Sequence, residues 1–169
     1  VVIAKTSPKI NSITQLQSIL CHGSSTAAIK VNLDTSKGIA PFTYSVKNTT
    51  TNTSFGNQLS GLPAGSYEVT VTDSNFCTDK MNPIITEPDE IKVTHRSKDI
   101  TCEDLGVSKG SVIVDGVKGG IPSYNYFVTG VNGYNNSELN NSGTTSYKFD
   151  VVDFGLYQIN VVDSNGCSV

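Results

Sequence analysis

The sequence contains no tryptophan, one methionine and only two histidines among its 169 residues. Its 12 Lys and Arg residues form no basic run, so the positive surface of a nucleic-acid-binding protein is not expected. No apolar run approaches the roughly 18 residues of a membrane-spanning helix, and the first residues lack the positive-then-apolar pattern of a signal peptide. These absences predict a soluble chain with no nucleic-acid partner and no direct membrane insertion.

The residues that are abundant favour β-structure. There are 18 Val and 13 Ile against 8 Leu and 5 Ala, and 18 Thr besides. β-branched residues fit the pleated surface of a sheet, whereas Ala and Leu favour helices. The 15 Gly and 15 Asn fall in clusters typical of turns. The composition therefore predicts an all-β fold.

The sequence also contains an internal repeat. Leu62–Cys77 aligns without gaps with Val152–Cys167, and both segments contain Gly-x-Tyr, an alternating run and Asp-Ser-Asn-x-Cys. Upstream, residues 38–46 match residues 119–128 at a slightly smaller offset. The second copy therefore carries about eight extra residues after Val128, in a Gly/Asn-rich stretch that predicts an exposed loop.

The repeat predicts the domain boundaries. Pro8 and Pro88 open equivalent modules, so residues 8–87 form the first repeat and residues 88–169 form the second. Residues 1–7 then correspond to the closing strand of a preceding repeat, and the second copy lacks its own closing strand. We expect a piece of a tandem array with a short junction, because Pro88 fixes its own φ and no Gly/Ser spacer is present.

The alternation within each copy predicts an antiparallel sandwich. Tyr67, Val69 and Val71 fall on one face of a strand, with polar residues between them. Residues 13–20 fit helical spacing, but we favour a strand there because the equivalent run at 91–95 has strand character. Several short strands at hairpin spacing predict tandem immunoglobulin-like antiparallel β-sandwich modules.

Four cysteines lie near the ends of the two copies. Repeat symmetry favours disulfides within each module, Cys21 with Cys77 and Cys102 with Cys167. Such bonds indicate an oxidising, extracytoplasmic compartment. The alternative is four buried free thiols. Zinc is disfavoured, because no Cys-x-x-Cys occurs and only His22 lies beside a cysteine.

Catalytic and metal-binding signals are weak. His22 and His95 occupy non-equivalent positions of the repeat, and no known catalytic or phosphate-binding motif occurs, so we expect no enzyme and no cofactor. The repeated Asp-Ser-Asn supplies oxygens that suit calcium. The stronger interpretation is a turn in which the Asp side chain bonds its own backbone. The calcium candidates are Asp73, Asn75, Asp163 and Asn165.

The chain resembles a known repeat family in several motifs. Each copy has an early Cys, a Val/Ile strand, Gly followed by Pro and Tyr, and Gly-x-Tyr leading to Asp-Ser-Asn-x-Cys, while Ile-Thr-Glu-Pro links the copies. In these motifs it resembles the SprB-type repeat of cell-surface gliding-motility adhesins in Bacteroidetes. The resemblance implies an extracellular filament at the bacterial cell surface, exported by type IX secretion, whose partners are neighbouring repeats and a surface polysaccharide or glycan. Phe76 departs from the family pattern, which has Gly there.

Two other functions remain open from the sequence. A carbohydrate-binding module would use aromatic and amide side chains in the longer loop of the second copy, and the candidates there are Tyr134, Asn135 and Asn136. An accessory module of a secreted hydrolase would differ only in what lies outside residues 1–169.

Overall fold

The computed structural model describes residues 7–103, 106–107 and 109–169, with the backbone alone at 102–103 and 106–107. The described chain is built of antiparallel strands and one short 3-10 turn, Val131–Gly133, which confirms the all-β prediction. The chain divides between Glu87 and Pro88 into two compact units, here called unit 1 and unit 2. The predicted closing strand at residues 1–7 lies outside the described residues except for Ser7. Within the described ranges, no helix has the length and apolarity needed to cross a membrane.

The described part of unit 1 contains eight strands in two antiparallel sheets. One sheet has the order β1–β2–β5, and the other has the order β4–β3–β6–β7 with β8 pairing the start of β6. The strand predicted in place of a helix at the start of the unit is confirmed as β1. The strands are β1 (Ile10–Gln17), β2 (Ala27–Leu33), β3 (Thr43–Asn48), β4 (Thr53–Gly56), β5 (Ser60–Leu62), β6 (Gly65–Thr72), β7 (Thr78–Met81) and β8 (Ile84–Ile85).

The core of unit 1 lies between its two sheets, as in a β-sandwich. On β6 the alternation holds as predicted, because Tyr67, Val69 and Val71 are buried while the residues between them are half-exposed. Side chains of β2 pack against this face from the other sheet, and Ile85 of β8 closes the same core. The buried members of this cluster are Ile19, Ala27, Ile29, Val46, Leu62, Tyr67, Val69 and Ile85.

Unit 2 repeats the two-sheet arrangement. One sheet has the order β15–β12–β9, the other has the order β14–β13–β16, and β10 pairs separately with β11. The strands are β9 (Lys92–Lys98), β10 (Cys102–Glu103), β11 (Gly106–Val107), β12 (Gly110–Lys118), β13 (Tyr124–Gly130), β14 (Asn135–Asn141), β15 (Tyr147–Val151) and β16 (Tyr157–Val162).

The core of unit 2 also draws on its two three-stranded sheets. Val112 and Val114 of β12 and Phe149 of β15 pack with Tyr126 and Val128 of β13. The two units therefore have separate hydrophobic cores, each formed by residues of that unit alone.

The extra residues of the second copy do not form the exposed loop that we predicted. Thr129 and Gly130 complete β13, and β14 returns from Asn135 to pair with it in a hairpin. A Gly/Asn-rich sequence suits a hairpin as well as a loop, because the φ > 0 positions of the turn, Asn132 and Gly133, need those residue types.

Each unit buries one asparagine, at different places in the fold. Asn48, at the end of β3, is fully buried, and its amide donates to the carbonyl of Ala64. In the pairing of β13 with β16 the equivalent position is Gly130, since Asn48 faces Tyr67 and Gly130 faces Tyr157. Unit 2 instead buries Asn141, elsewhere in its sheet.

Candidate functional site

The Asp-Ser-Asn-x-Cys motif of unit 1 forms a tight corner between β6 and β7. Asp73 is 4% exposed, and one of its carboxylate oxygens accepts hydrogen bonds from the backbone N–H groups of Asn75 and Cys77, both at 2.9 Å. The other oxygen accepts from the N–H of Ile39 at 3.3 Å. The N–H of Ser74 donates to the carbonyl of Ile39 at 2.9 Å. The buried carboxylate thus ties the hairpin to a loop more than thirty residues earlier in the chain.

Unit 2 builds the same corner with the same hydrogen bonds. Asp163 is 3% exposed and accepts from the N–H groups of Asn165 and Cys167, both at 2.9 Å. Its second oxygen accepts from the N–H of Ile121 at 2.9 Å, and Ser164 donates to the carbonyl of Ile121 at 3.0 Å. We call these two arrangements the aspartate corners.

The hydrogen bonds of the aspartate corners favour the turn interpretation over calcium binding. Both oxygens of Asp73 and Asp163 face backbone N–H groups, whose positive ends occupy positions that a cation would need. Charge-assisted bonds of this kind satisfy a buried carboxylate. Within residues that the structure describes, no group of three or more His, Cys, Asp or Glu side chains is placed to hold a metal. The amides of Asn75 and Asn165 lie on exposed residues at the tips of the turns.

The two aspartate corners differ at one residue. Phe76 in unit 1 has φ of 62° and a side chain that is 87% exposed. The equivalent Gly166 has φ of 83°. This left-handed conformation is natural for Gly and costs energy for a residue with a Cβ. Phe76 therefore occupies a position whose backbone geometry suits glycine.

A second repeated feature is the tyrosine of Gly-x-Tyr. The hydroxyl of Tyr67 donates to the carbonyl of Pro63 at 2.7 Å, and that of Tyr157 donates to the carbonyl of Asp153 at 2.8 Å. In both cases the acceptor is four residues earlier in the chain. Burial raises the pKa of Tyr67. The glycine two residues before the tyrosine also has a structural role, because Gly65 has φ of 146°, a conformation that residues with a Cβ rarely adopt.

The cysteines do not follow the predicted pairing. Cys77 is a free thiol, whereas Cys21 and Cys167 are disulfide-bonded. The predicted Cys21–Cys77 disulfide is therefore wrong. Repeat symmetry fixes where the cysteines fall in the sequence, whereas a disulfide requires their sulfur atoms to meet in space. The side chain of Cys102, the predicted partner of Cys167, lies outside the described residues.

The proposed sugar-binding residues do not form an open platform. The hydroxyl of Tyr134 donates to the carbonyl of Asp150 at 3.0 Å, and its ring meets the ring of Tyr157 edge-on with centroids 5.3 Å apart. Tyr134 thus packs against the core of unit 2. Asn135 and Asn136 are exposed on β14, and the side-chain oxygen of Asn136 accepts from the next backbone N–H. A sugar would need a free ring face, which the packing of Tyr134 reduces.

The two histidines occupy unrelated surroundings. His22 Nδ1 lies 3.4 Å from Glu87 Oε1, and the N–H of Gly23 donates to Glu87 Oε2 at 2.6 Å. His95 is exposed on β9, where it pairs with Val114 of β12. The Glu87 contacts hold the last residue of unit 1 to the loop that contains His22.

Unit 2 contains a groove that no pattern in the sequence indicated. It has a volume of about 630 Å³ and lies between the edge strands β9 and β16. Val93 and His95 line one wall, and Tyr157 and Ile159 line the other. Leu156, at one end, is 90% exposed.

Comparison with known proteins supplies no relative, since no family model, curated protein or solved structure matches the chain.

Proposed function

We propose that the chain is a structural and adhesive repeat unit of a long bacterial cell-surface filament, a gliding-motility adhesin of the SprB type exported by type IX secretion. The observation that carries the proposal is the duplicated aspartate corner. Asp73 and Asp163 make the same set of backbone hydrogen bonds in two units with separate cores. A chain that repeats one self-contained unit can be lengthened by adding units, as a filament requires.

The immunoglobulin-like character of the units belongs to the same proposal. A tyrosine whose hydroxyl bonds the backbone a few residues upstream is a hallmark of immunoglobulin-like sandwiches. Tyr67 and Tyr157 each make such a bond at the start of β6 and β16. Together with two antiparallel sheets in each unit, this supports tandem sandwich repeats.

The junction between the units supports a stalk with little freedom. Glu87 is held within unit 1 by the N–H of Gly23, and the carbonyl of Asp89 accepts from the N–H of Gly120 within unit 2. Only Pro88 separates these two anchored residues, and proline restricts its own φ. A short linker of this type should limit reorientation, which suits a stalk that holds an adhesive surface away from the cell.

The cysteines support an exported location. Disulfide-bonded Cys21 and Cys167 are compatible with an extracellular or periplasmic protein, because disulfides persist in oxidising compartments. The cell surface, as the final location, is part of the proposal and accords with the resemblance in the repeat motifs.

Small-angle X-ray scattering on the two-unit chain tests the stalk. We expect a profile that one orientation of the units fits, and a broader distribution of dimensions when a flexible Gly/Ser linker is inserted between Glu87 and Pro88. Identical distributions for the two proteins would show that the natural junction is itself flexible and would overturn the stalk.

Retention of coated beads under flow tests adhesion. Beads carrying the folded chain should stay attached to polysaccharide-coated glass at shear that removes beads carrying the reduced and alkylated chain. Equal loss of both would refute adhesion to that surface by the folded units.

A glycan array that compares the unaltered chain with Tyr134→Ala tests the alternative carbohydrate-binding function. Equal binding by both proteins would show that Tyr134 does not contribute to a carbohydrate site.

A further inference from the structure

Phe76, at the tip of the aspartate corner in unit 1, costs stability and packs little. It is 87% exposed, so little of its apolar surface is buried. Its φ of 62° lies in the region that favours glycine, and Gly166 occupies the equivalent position in unit 2. The corner therefore forms without an aromatic ring at this position. A large apolar residue in a strained and exposed position indicates a role outside folding.

The residues beside Phe76 are small, polar and exposed. Ser74 and Asn75 lie in the same turn, and both are exposed. Asp73, the acidic residue of the turn, is 4% exposed, and its two carboxylate oxygens accept hydrogen bonds from three backbone N–H groups. We call Ser74, Asn75 and Phe76 the Phe76 tip. Its exposed groups are a hydroxyl, an amide and an aromatic ring, and none of them is charged.

A row of threonines borders the Phe76 tip. Thr72, which directly precedes the corner, pairs with Thr43 of β3 on one side and with Thr78 of β7 on the other. Cross-strand partners lie on the same face of a sheet, and the burial of Val71 places Thr72 on the face opposite the core. Thr43 and Thr78 are exposed, and Thr72 is half-exposed. Three threonines, each one strand spacing of about 4.8 Å from the next, therefore lie where the corner begins.

Unit 2 has the same corner without these side chains. Gly166 stands at the position of Phe76, and the row equivalent to the threonines consists of Asn125, Val162 and Ser168. The backbone hydrogen bonds of the corner are nevertheless the same in the two units. The ring and the threonine row are thus specific to unit 1, whereas the fold of the corner does not require them.

An exposed ring beside neutral hydrogen-bonding groups matches the chemistry of a sugar. A pyranose has a C–H face that packs against an aromatic ring, and its hydroxyl groups form hydrogen bonds with amides and hydroxyls. An ionic ligand would find no charged group on the Phe76 tip. A protein interface buries about 800 Å² on each partner around several apolar anchors, whereas the tip offers a single ring. A neutral sugar is therefore the ligand that this surface fits best.

We propose that the Phe76 tip binds a neutral hexose unit of a polysaccharide, with the ring of Phe76 against the C–H face of the sugar and with Ser74, Asn75 and the threonine row as hydrogen-bonding partners. The site rests on the proposed adhesive function and deepens it, because it assigns contact with the polysaccharide to unit 1. It differs from the site predicted at Tyr134, whose ring packs against Tyr157. A single ring binds weakly, and repetition of such sites along a filament raises the avidity.

Affinity electrophoresis of the intact chain in native gels that contain dextran, mannan or a soluble β-glucan tests the proposal. The chain has a net charge of −3 at pH 7, and the variants at Phe76 leave this charge unchanged, so a change in mobility reports binding. At least one polysaccharide should retard the chain. Phe76→Gly should raise the apparent Kd at least about tenfold, whereas Phe76→Tyr keeps a ring and should change it less than about threefold. Phe154→Ala, at another exposed phenylalanine, should leave the Kd unchanged.

Two measurements separate sugar binding from folding. Phe76→Gly should not lower Tm, so a loss of retardation in this variant cannot come from unfolding. On the unaltered protein, NMR titration with an oligosaccharide of the retarding polysaccharide should shift the side-chain amide signals of Asn75 and leave those of Asn165, at the corner of unit 2, unchanged.

The outcomes distinguish the site from the adhesive function. Retardation that Phe76→Gly leaves unchanged, or NMR shifts confined to residues away from the Phe76 tip, would overturn the site and leave adhesion standing. The absence of retardation in all three gels would overturn the site and adhesion to these polysaccharides together. Retardation that is lost in Phe76→Gly and retained in Phe76→Tyr and Phe154→Ala would support the site.

Discussion

Replacing Phe76 by glycine should stabilise unit 1, although Phe76 is a large apolar residue. Its side chain is 87% exposed, so the substitution removes little buried surface. Its φ of 62° lies in the left-handed region, which costs an L-residue about 1–2 kcal/mol relative to Gly. Glycine loses more conformational entropy on folding, which offsets about 0.4–1 kcal/mol of that gain. We therefore expect Phe76→Gly to raise the free energy of unfolding by about 0.5–1 kcal/mol.

Two further variants isolate the backbone contribution. Phe76→Ala removes the ring but keeps the Cβ, so it should change stability much less than Phe76→Gly does. Gly166→Ala places a Cβ at the equivalent corner of unit 2, where no other atom lies within 4 Å of the new carbon. Its cost is therefore set by φ alone and should be of similar size and opposite sign.

Differential scanning calorimetry measures these effects, because the two units are expected to contribute transitions that the variants shift separately. For a unit of this size, a change of about 0.5–1 kcal/mol corresponds to a shift in Tm of roughly 2–8 °C. If Phe76→Gly and Phe76→Ala shifted Tm equally, the effect would come from the side chain, and the argument from φ would be refuted.

Three other predictions concern the aspartate corners, the thiol and the tyrosines. Asp73→Asn and Asp163→Asn should each lower the free energy of unfolding measured in urea by about 1–3 kcal/mol, because the amide NH₂ of the new side chain would face a backbone N–H. The control Asp99→Asn, at an exposed residue, should lower it by less than about 0.5 kcal/mol. Without reductant, an alkylating reagent should modify Cys77 but not the disulfide-bonded cysteines, as peptide mapping would show, and an unmodified Cys77 would contradict the structure. Burial raises the pKa of several tyrosines above the ordinary 10.0. Their contribution to the free energy of unfolding should therefore be fully retained below pH 10.0 and lost as pH rises through their folded-state pKa. Ultraviolet titration should show these tyrosines ionising at higher pH in the folded protein than in denaturant, and superimposable titration curves would refute the prediction. The tyrosines concerned are Tyr67, Tyr124 and Tyr126.

Local patterns in the sequence predicted the strands well, because alternation records which face of a strand is buried. Tyr67 and Val69 are buried as the period-two pattern required. The turn role of Asp73 was also identified, because an Asp at a hairpin entrance bonds nearby backbone groups.

Features that depend on the meeting of distant residues were harder to predict. The pairing of Cys21 with Cys77 was wrong, because spacing along the chain does not determine which sulfur atoms meet. Tyr134 was assigned to an exposed loop because its neighbours are polar, yet its ring packs against Tyr157. The groove beside β16 lies between the two three-stranded sheets of unit 2, and no local pattern predicts how these sheets are placed.

The two units place different residues opposite the repeated tyrosine, Asn48 opposite Tyr67 and Gly130 opposite Tyr157. This difference disfavours the exchange of strands between adjacent units. Neighbouring domains of similar sequence are prone to domain swapping during folding. A hybrid that paired β3 with β16 would set Asn48 beside Tyr157 in place of Gly130. At Gly130 an added Cβ would lie 2.3 Å from a ring carbon of Tyr157, so the hybrid would clash. It would also separate Asn48 from Ala64, the carbonyl that its buried amide bonds. The difference at this one position thus disfavours pairing of β3 with the strand of the neighbouring unit.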